Sequence, residues 1–95
     1  MTTLVADIGG TNTRVALCDT PEAPRDLARF RNADHASLDA VLRAYLAARG
    51  HPPVHAACVA VAGPVRGGAV RLTNLPWEID ATALRAATGA TEAHV

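Results

Sequence analysis

The chain has no lysine: all nine of its basic residues are arginine. A Walker A loop needs a lysine on the β- and γ-phosphates of its nucleotide, so that type of site is excluded. Schiff-base chemistry, which needs a lysine amine, is excluded with it. Net charge is lacking too, because nine acidic residues balance the nine basic ones. There is no basic stripe of the kind nucleic acid selects and no acidic tail. Cysteines number two, Cys18 and Cys58, each inside an apolar run. They read as small buried hydrophobes in a reducing compartment, with no disulfide or metal spacing. The N-terminus has no basic segment leading into an apolar one, so no secretory signal is read there. No apolar stretch approaches the ~20 residues that span a bilayer. The expectation is a cytoplasmic, soluble protein with no membrane or nucleic-acid partner.

Ninety-five residues allow one small domain. Apolar residues make up 49% of the chain, but many are alanine, so the buried volume per residue is low. At this size only a modest fraction of the surface is removed from water on folding.

"TLVADI" is apolar on both faces apart from Asp7 and predicts a central strand. "RVALCD" places Val15 and Leu17 on one face and Ala16 and Cys18 on the other. The link between them is too short for a helix, so the two should form a hairpin. "TPEAP" reads as a turn and "DLARFRN" as a more polar edge strand. In "SLDAVLRAYLAARG", Leu38, Val41, Leu42, Tyr45 and Leu46 share one helical face. Ser37 is the expected N-cap, Asp39 lies in the first turn, Arg49 in the last, and Gly50 fits the position after the C-cap. "HAACVAVA" reads as a strand buried on both sides, and "GPVRGGAVRLTN" as a small hairpin about Gly67-Gly68. Asp80 caps a short helix ended by Gly89, and "EAHV" starts a further strand. No repeat or linker interrupts the chain. The order β-β-β-α-β-α-β is α/β, the arrangement of the ribonuclease-H-like half-domain of actin-like ATPases and sugar kinases.

The hairpin tip carries the chemistry. "ADIGGTNTR" sets an acid, two glycines and a run of hydroxyl and amide side chains at one strand end. Glycine lets a ligand approach the backbone closely, and converging N–H groups favour an anion. Thr11, Asn12 and Thr13 add donors. Asp7 would repel a bare phosphate but suits a phosphate that arrives with Mg²⁺. A dinucleotide site fits poorly, since G-x-G-x-x-G is absent and a strand follows rather than a helix. Gly-Gly alone would more often be a plain tight turn. The acid and polar residues around it shift the reading to a Mg-nucleotide site.

"LVADIGGTNTRVALCD" resembles the first phosphate motif of the hexokinase and actin-like superfamily in its bacterial glucokinase form. "CVAVAGPVRGGAVRLTNLPWEID" resembles the glucokinase segment from the buried strand to Thr-Asn-x-x-Trp. Together the two blocks span almost the whole chain. ROK kinases and repressors usually carry lysine after Gly-Gly-Thr, and this chain carries Asn12. The resemblance implies ATP-dependent phosphorylation of glucose, with ATP and Mg²⁺ as cofactors. Residues 1–95 would be part of the N-terminal lobe. The ATP-binding stretch would be Ala6, Asp7, Ile8, Gly9, Gly10, Thr11 and Asn12, with Asp7 also on the metal. Asn12 and Arg14 would support the loop or the closing cleft. Thr73 and Asn74 would lie near the sugar, and Trp77 would plug the core behind them. Pro64 and Gly67-Gly68 would serve turns, and the four histidines would be solvated or capping.

In bacterial glucokinases the strand resembling "EAHV" leads into an Asn-Asp-Phe segment whose Asp is the general base. That segment, the later sugar ligands and the adenosine pocket are not among these residues. The resemblance therefore implies that the 95-residue chain alone is not an active kinase. Its central strands would lack neighbours, leaving apolar surface and a sheet edge exposed. The expected result is self-association, as in a homodimer, pairing with a complementary fragment, or only marginal stability. The other readings are a non-catalytic interaction remnant and another ROK or actin-like sugar kinase.

Overall fold

Strand β1 (Thr3–Ile8) turns through Gly9–Thr11 into β2 (Asn12–Cys18), and β3 (Pro24–Arg31) follows antiparallel to β2. This is a computed structural model, and it describes residues 1–20, 22–61, 69–71 and 77–95. Helix α1 (Leu38–Ala47) then carries the chain back to β4 (Ala56–Val61), which pairs parallel to β1. Strands β5 (Ala69–Arg71) and β6 (Glu78–Asp80) form a separate antiparallel pair. Helix α2 (Ala81–Thr88) leads into β7 (Glu92–His94), parallel to β4. The main sheet runs β3-β2-β1-β4-β7, so β1 is central as its composition predicts.

The helix ends follow the sequence signals closely. The Ser37 side chain accepts from the Ala40 N–H at 3.1 Å, and the buried face of α1 is Leu38, Val41, Leu42, Tyr45 and Leu46. Past the helix, the N–H groups of Gly50 and His51 donate to the carbonyls of Ala47 and Leu46, with Gly50 at φ 76°. These are the two bonds of a Schellman ending, and they need a left-handed residue at the glycine. Arg49 lies beyond the last turn rather than in it, yet still donates to the Tyr45 carbonyl at 3.0 Å. Asp80 caps α2 through the Ala83 N–H at 2.8 Å, and Gly89 ends it at φ 76°. Residues 78–80 also form strand β6, which sequence reading did not separate from the loop before the helix. The expected hairpin about Gly67-Gly68, and Pro64 with it, lie outside the described residues.

Both helices pack on one face of the sheet. Leu4, Ala6 and Ile8 of β1, Val15 and Leu17 of β2, and Ala57 and Val59 of β4 join α1, α2 and Trp77 in one core. On the opposite face Val5 and Cys58 are only half-buried, and Asp7 and Ala60 are exposed. The sequence predicted burial on both sides of β1 and β4. The described residues cover only one side, because they supply helices to that side alone. Cys18 and Cys58 are both free and half-buried on the open side, not sealed in the core. A shallow cavity of about 710 Å³ lies along this open face, with Val5, Ala16, Leu27, Cys58 and Val95 in its wall.

The β2–β3 pairing slips between Val15/Ala28 and Leu17/Arg25, so Ala16 faces both Asp26 and Leu27. This is a β-bulge, with Asp26 at φ 55°. The strained residue is held by its neighbours: the Tyr45 hydroxyl donates to the Asp26 carbonyl at 2.7 Å. The Arg49 guanidinium stacks over the Tyr45 ring at 3.8 Å from its centroid. Burial pushes the Tyr45 phenol above its ordinary pKa. Beside the bulge, hydrogen bonds from Arg25 and Thr2 hold the exposed Asp19 carboxyl down at about 2. These contacts fasten the sheet end remote from the Gly-Gly turn.

Candidate functional site

The Gly-Gly turn sits at the carboxyl end of β1. Strands β1, β4 and β7 all point the same way, so their carboxyl ends lie on one side of the sheet. Open α/β sheets bind ligands in the crevice beyond that side. A cavity of about 310 Å³ lies there, walled by Asp7, Gly9, Gly10, Thr11, Asn12, Arg14 and Arg29.

Asp7 and Arg14 are register partners across β1 and β2, which brings their side chains together on the open face. The Arg14 Nη2 donates to Asp7 Oδ2 at 2.9 Å. Their side chains are 57% and 56% exposed. A pair this wet contributes at most about 1 kcal/mol to stability. It is a poor staple but a good way to aim a carboxylate that must stay accessible. Among the described residues no three His, Cys, Asp or Glu side chains converge as a metal site. Asp7 would therefore offer a cation one carboxylate, which suits Mg²⁺ held mostly by phosphate and water.

The Gly-Gly pair admits two readings, a plain tight turn or the close approach of a ligand. Neither Gly9 nor Gly10 has positive φ; among the described glycines only Gly50 and Gly89 do. Turn conformation is therefore not what requires glycine at the tip. At Gly9 a Cβ would meet the Asn12 carbonyl oxygen at 3.3 Å, inside the turn closed by the Gly9 N–H to Asn12 carbonyl bond of 2.9 Å. At Gly10 a Cβ would meet nothing within 4 Å. The chain itself has no use for a missing side chain there.

Of the remaining residues assigned to the ATP-binding stretch, Thr11 and Asn12 are exposed and line the cavity, where their polar atoms can reach a ligand. Ala6 and Ile8 point the other way and are 5% and 2% exposed. They anchor the turn in the core rather than face the cavity. Thr73 and Asn74 lie outside the described residues. Trp77 is 1% exposed in the core, as a plug should be, and its Nε1 donates to the His35 carbonyl at 3.3 Å. His35 is half-buried and ends the 3₁₀ turn Asn32–Asp34 as its C-cap, its N–H donating to the Asn32 carbonyl and its ring packing edge-on against Phe30 with centroids 5.5 Å apart.

One residue went unnoticed in the sequence. Asn32, just after β3, is 1% exposed. Its Nδ2 donates to the Gly9 carbonyl at 2.9 Å, and its Oδ1 accepts from the fully buried Thr13 hydroxyl at 2.7 Å. Its backbone N–H donates to the Thr11 carbonyl at 2.9 Å. A single side chain and its own amide thus hold both sides of the tip. A polar residue after an edge strand carries no local signal of this role.

The family profile described as glucokinase matches residues 4–95. The glucokinase of Erwinia tasmaniensis is 40% identical over 84 residues, covering 87% of this chain and 26% of that protein. The glucokinase of Cupriavidus metallidurans is 40% identical over 86 residues, covering 88% and 25%. The crystal structure of a glucokinase from an Antarctic psychrotroph superposes with a TM-score of 0.84 at 37% identity, covering 97% of this chain and 30% of that one. A second solved structure, from Cytophaga hutchinsonii, has a TM-score of 0.74 at 22% identity, a likeness of fold alone. The chain thus spans about a quarter of the length of the curated relatives it matches.

Proposed function

This chain belongs to the glucokinase family, and from that premise we propose that it supplies the Mg-ATP phosphate segment of an enzyme that converts glucose to glucose 6-phosphate. The observation that carries the reading is Gly10, a glycine that neither backbone conformation nor packing requires, open to a cavity beside an accessible carboxylate. Bound Mg-ATP would bring the phosphoryl group to be transferred. The backbone N–H groups of Gly10 and Thr11 and the Asn12 side chain would hold the phosphates, and Gly9, whose own N–H donates to the Asn12 carbonyl, would line the site beside them. Asp7, aimed by Arg14, would hold the metal through one carboxylate. Ala6 and Ile8 contribute by fixing the strand end. Thr73 and Asn74 are assigned to the sugar side on resemblance. Residues 1–95 form part of the N-terminal lobe of a cytoplasmic kinase acting at the first step of glycolysis.

Chemistry also needs a base for the sugar hydroxyl. Among the described residues the cavity at the tip has one carboxylate, Asp7, which is already engaged by Arg14. The register explains how a base could arrive. Cys58 pairs with His94, so Val95 stands level with Val59, two residues short of Val61 at the end of β4. Chain continuing the strand from Val95 would reach the ligand side of the sheet two strands from β1, about 10 Å away. That is where the Asn-Asp-Phe segment of the resembling kinases would emerge. The 95 residues alone are therefore expected to bind phosphate weakly and to show no glucose-dependent ATP consumption.

Gly10→Ala tests the binding role directly. Stability by urea denaturation should change by less than about 0.5 kcal/mol, because the new methyl meets nothing and φ is not left-handed. Affinity for tripolyphosphate with Mg²⁺ should fall at least about fivefold, since the methyl occupies the approach to the backbone. Unchanged affinity would sink the reading.

The open face bears on partners. Leu27 is 69% exposed on it, beside the apolar wall of Val5, Ala16 and Cys58. The 95-residue chain by itself is expected to cover that face with a second copy. Sedimentation equilibrium should show a mass that rises with concentration, and Leu27→Asp should return it to the monomer. A monomer at high micromolar concentration would contradict this.

A further inference from the structure

We propose that Arg29 is a second cation of the phosphate site, so that a polyphosphate is held between the Gly-Gly turn on one side and two guanidinium groups on the other. The proposal rests on the Mg-ATP reading and names a residue outside the motif that suggested it. Arg29 lies on β3, and its register partner on β2 is Arg14. Two like charges directly opposed across antiparallel strands have Cβ atoms about 5 Å apart and destabilise the pair. The fold leaves that repulsion partly in place. Arg14 is answered by Asp7, whereas none of the ion pairs among the described residues involves Arg29. Both arginines wall the cavity that holds the turn. Of its charged wall residues, Asp7 offsets one guanidinium and one positive charge faces the turn unanswered.

An anion placed there resolves the arrangement. It accepts from backbone N–H groups at the turn and from guanidinium groups opposite, the strongest hydrogen-bonding combination for phosphate oxygens. A second explanation for an arginine on β3 is that it blunts an exposed sheet edge, since charges on edge strands deter pairing with other chains. That role does not depend on position along the strand. Arg31, two residues on and opposite Asn12, would serve it equally and does not line the cavity. The pair Arg29 and Arg31 therefore separates the two explanations.

The test is a titration of the isotope-labelled chain with tripolyphosphate and Mg²⁺ at low salt, followed at the Gly9, Gly10 and Thr11 amides. Arg29→Gln should weaken binding about tenfold or more, the size expected for losing a charge-assisted contact. Arg29→Lys should recover part of the loss, and Arg31→Gln should stay within about twofold of the parent. Equal losses for the two Gln variants would mean a diffuse edge charge and would overturn the proposal. If Gly10→Ala weakens binding and Arg29→Gln does not, the Mg-ATP reading stands and the Arg29 assignment falls. If Arg29→Gln weakens binding and Gly10→Ala does not, the anion site stands and the role of the turn falls. No response of the three amides in the parent chain would end both. Arg29 is exposed, so its variants should keep the parent's amide dispersion.

Discussion

Asn32→Ala is expected to lower the stability of the chain by about 2–4 kcal/mol and to weaken phosphate binding at the same time. Truncation removes the donor to the Gly9 carbonyl and the partner of the Thr13 hydroxyl. Each buried group left unpaired costs roughly 1–3 kcal/mol. Thr13 is fully buried and Asn32 is 1% exposed, so water would not readily replace the lost bonds. Against the roughly 5–15 kcal/mol typical of a domain, that is a large fraction. Urea denaturation measures the first effect, and the tripolyphosphate titration the second. Asn32→Asp sharpens the test. At neutral pH it places a carboxylate in a buried site and again leaves the Gly9 carbonyl without a donor. Burial disfavours the charged form, so this Asp would have a folded pKa above its unfolded value near 4. Its destabilisation should be absent below about pH 4 and should grow as pH rises, because the protonated acid can both donate to Gly9 and accept from Thr13. If Asn32→Ala and the parent denature at the same urea concentration, the turn is not held from Asn32.

Trp77→Ala should cost about 3–5 kcal/mol, the largest effect expected of any single truncation in the described core. Trp77 is the bulkiest of the fully buried side chains and belongs to the one core cluster that joins both helices to the sheet. Trp77→Phe keeps most of the apolar contact and loses the indole donor to the His35 carbonyl. It should cost distinctly less, because much of the volume remains. Circular dichroism is the suitable probe, since Trp77 is the chain's one tryptophan and its fluorescence disappears with it. Equal losses for the two variants would mean that the hydrogen bond, not the packing, fixes this residue.

Local signals made much of this protein legible. The five apolar positions of α1, its Ser37 cap and its Gly50 ending are all properties of short stretches, and all appear as read. So do the Gly-Gly turn between β1 and β2, the Asp80 cap and the start of β7. The same locality explains the misses. Whether an apolar strand is buried on one face or two depends on how many layers cover the sheet, and periodicity within β1 or β4 cannot count layers. The cysteines were misjudged for that reason.

The sequence by itself determined which residues form the turn and which family the chain joins, because an acid, two glycines and their polar followers sit within one short run. Only tertiary structure decided what surrounds that run. Arg29 meets Arg14, and Asn32 reaches Gly9 across 23 positions of sequence, because strand register and a 3₁₀ turn after β3 bring them there. Register is fixed by how the whole sheet buries its apolar face, so no short stretch of the chain could have announced either contact.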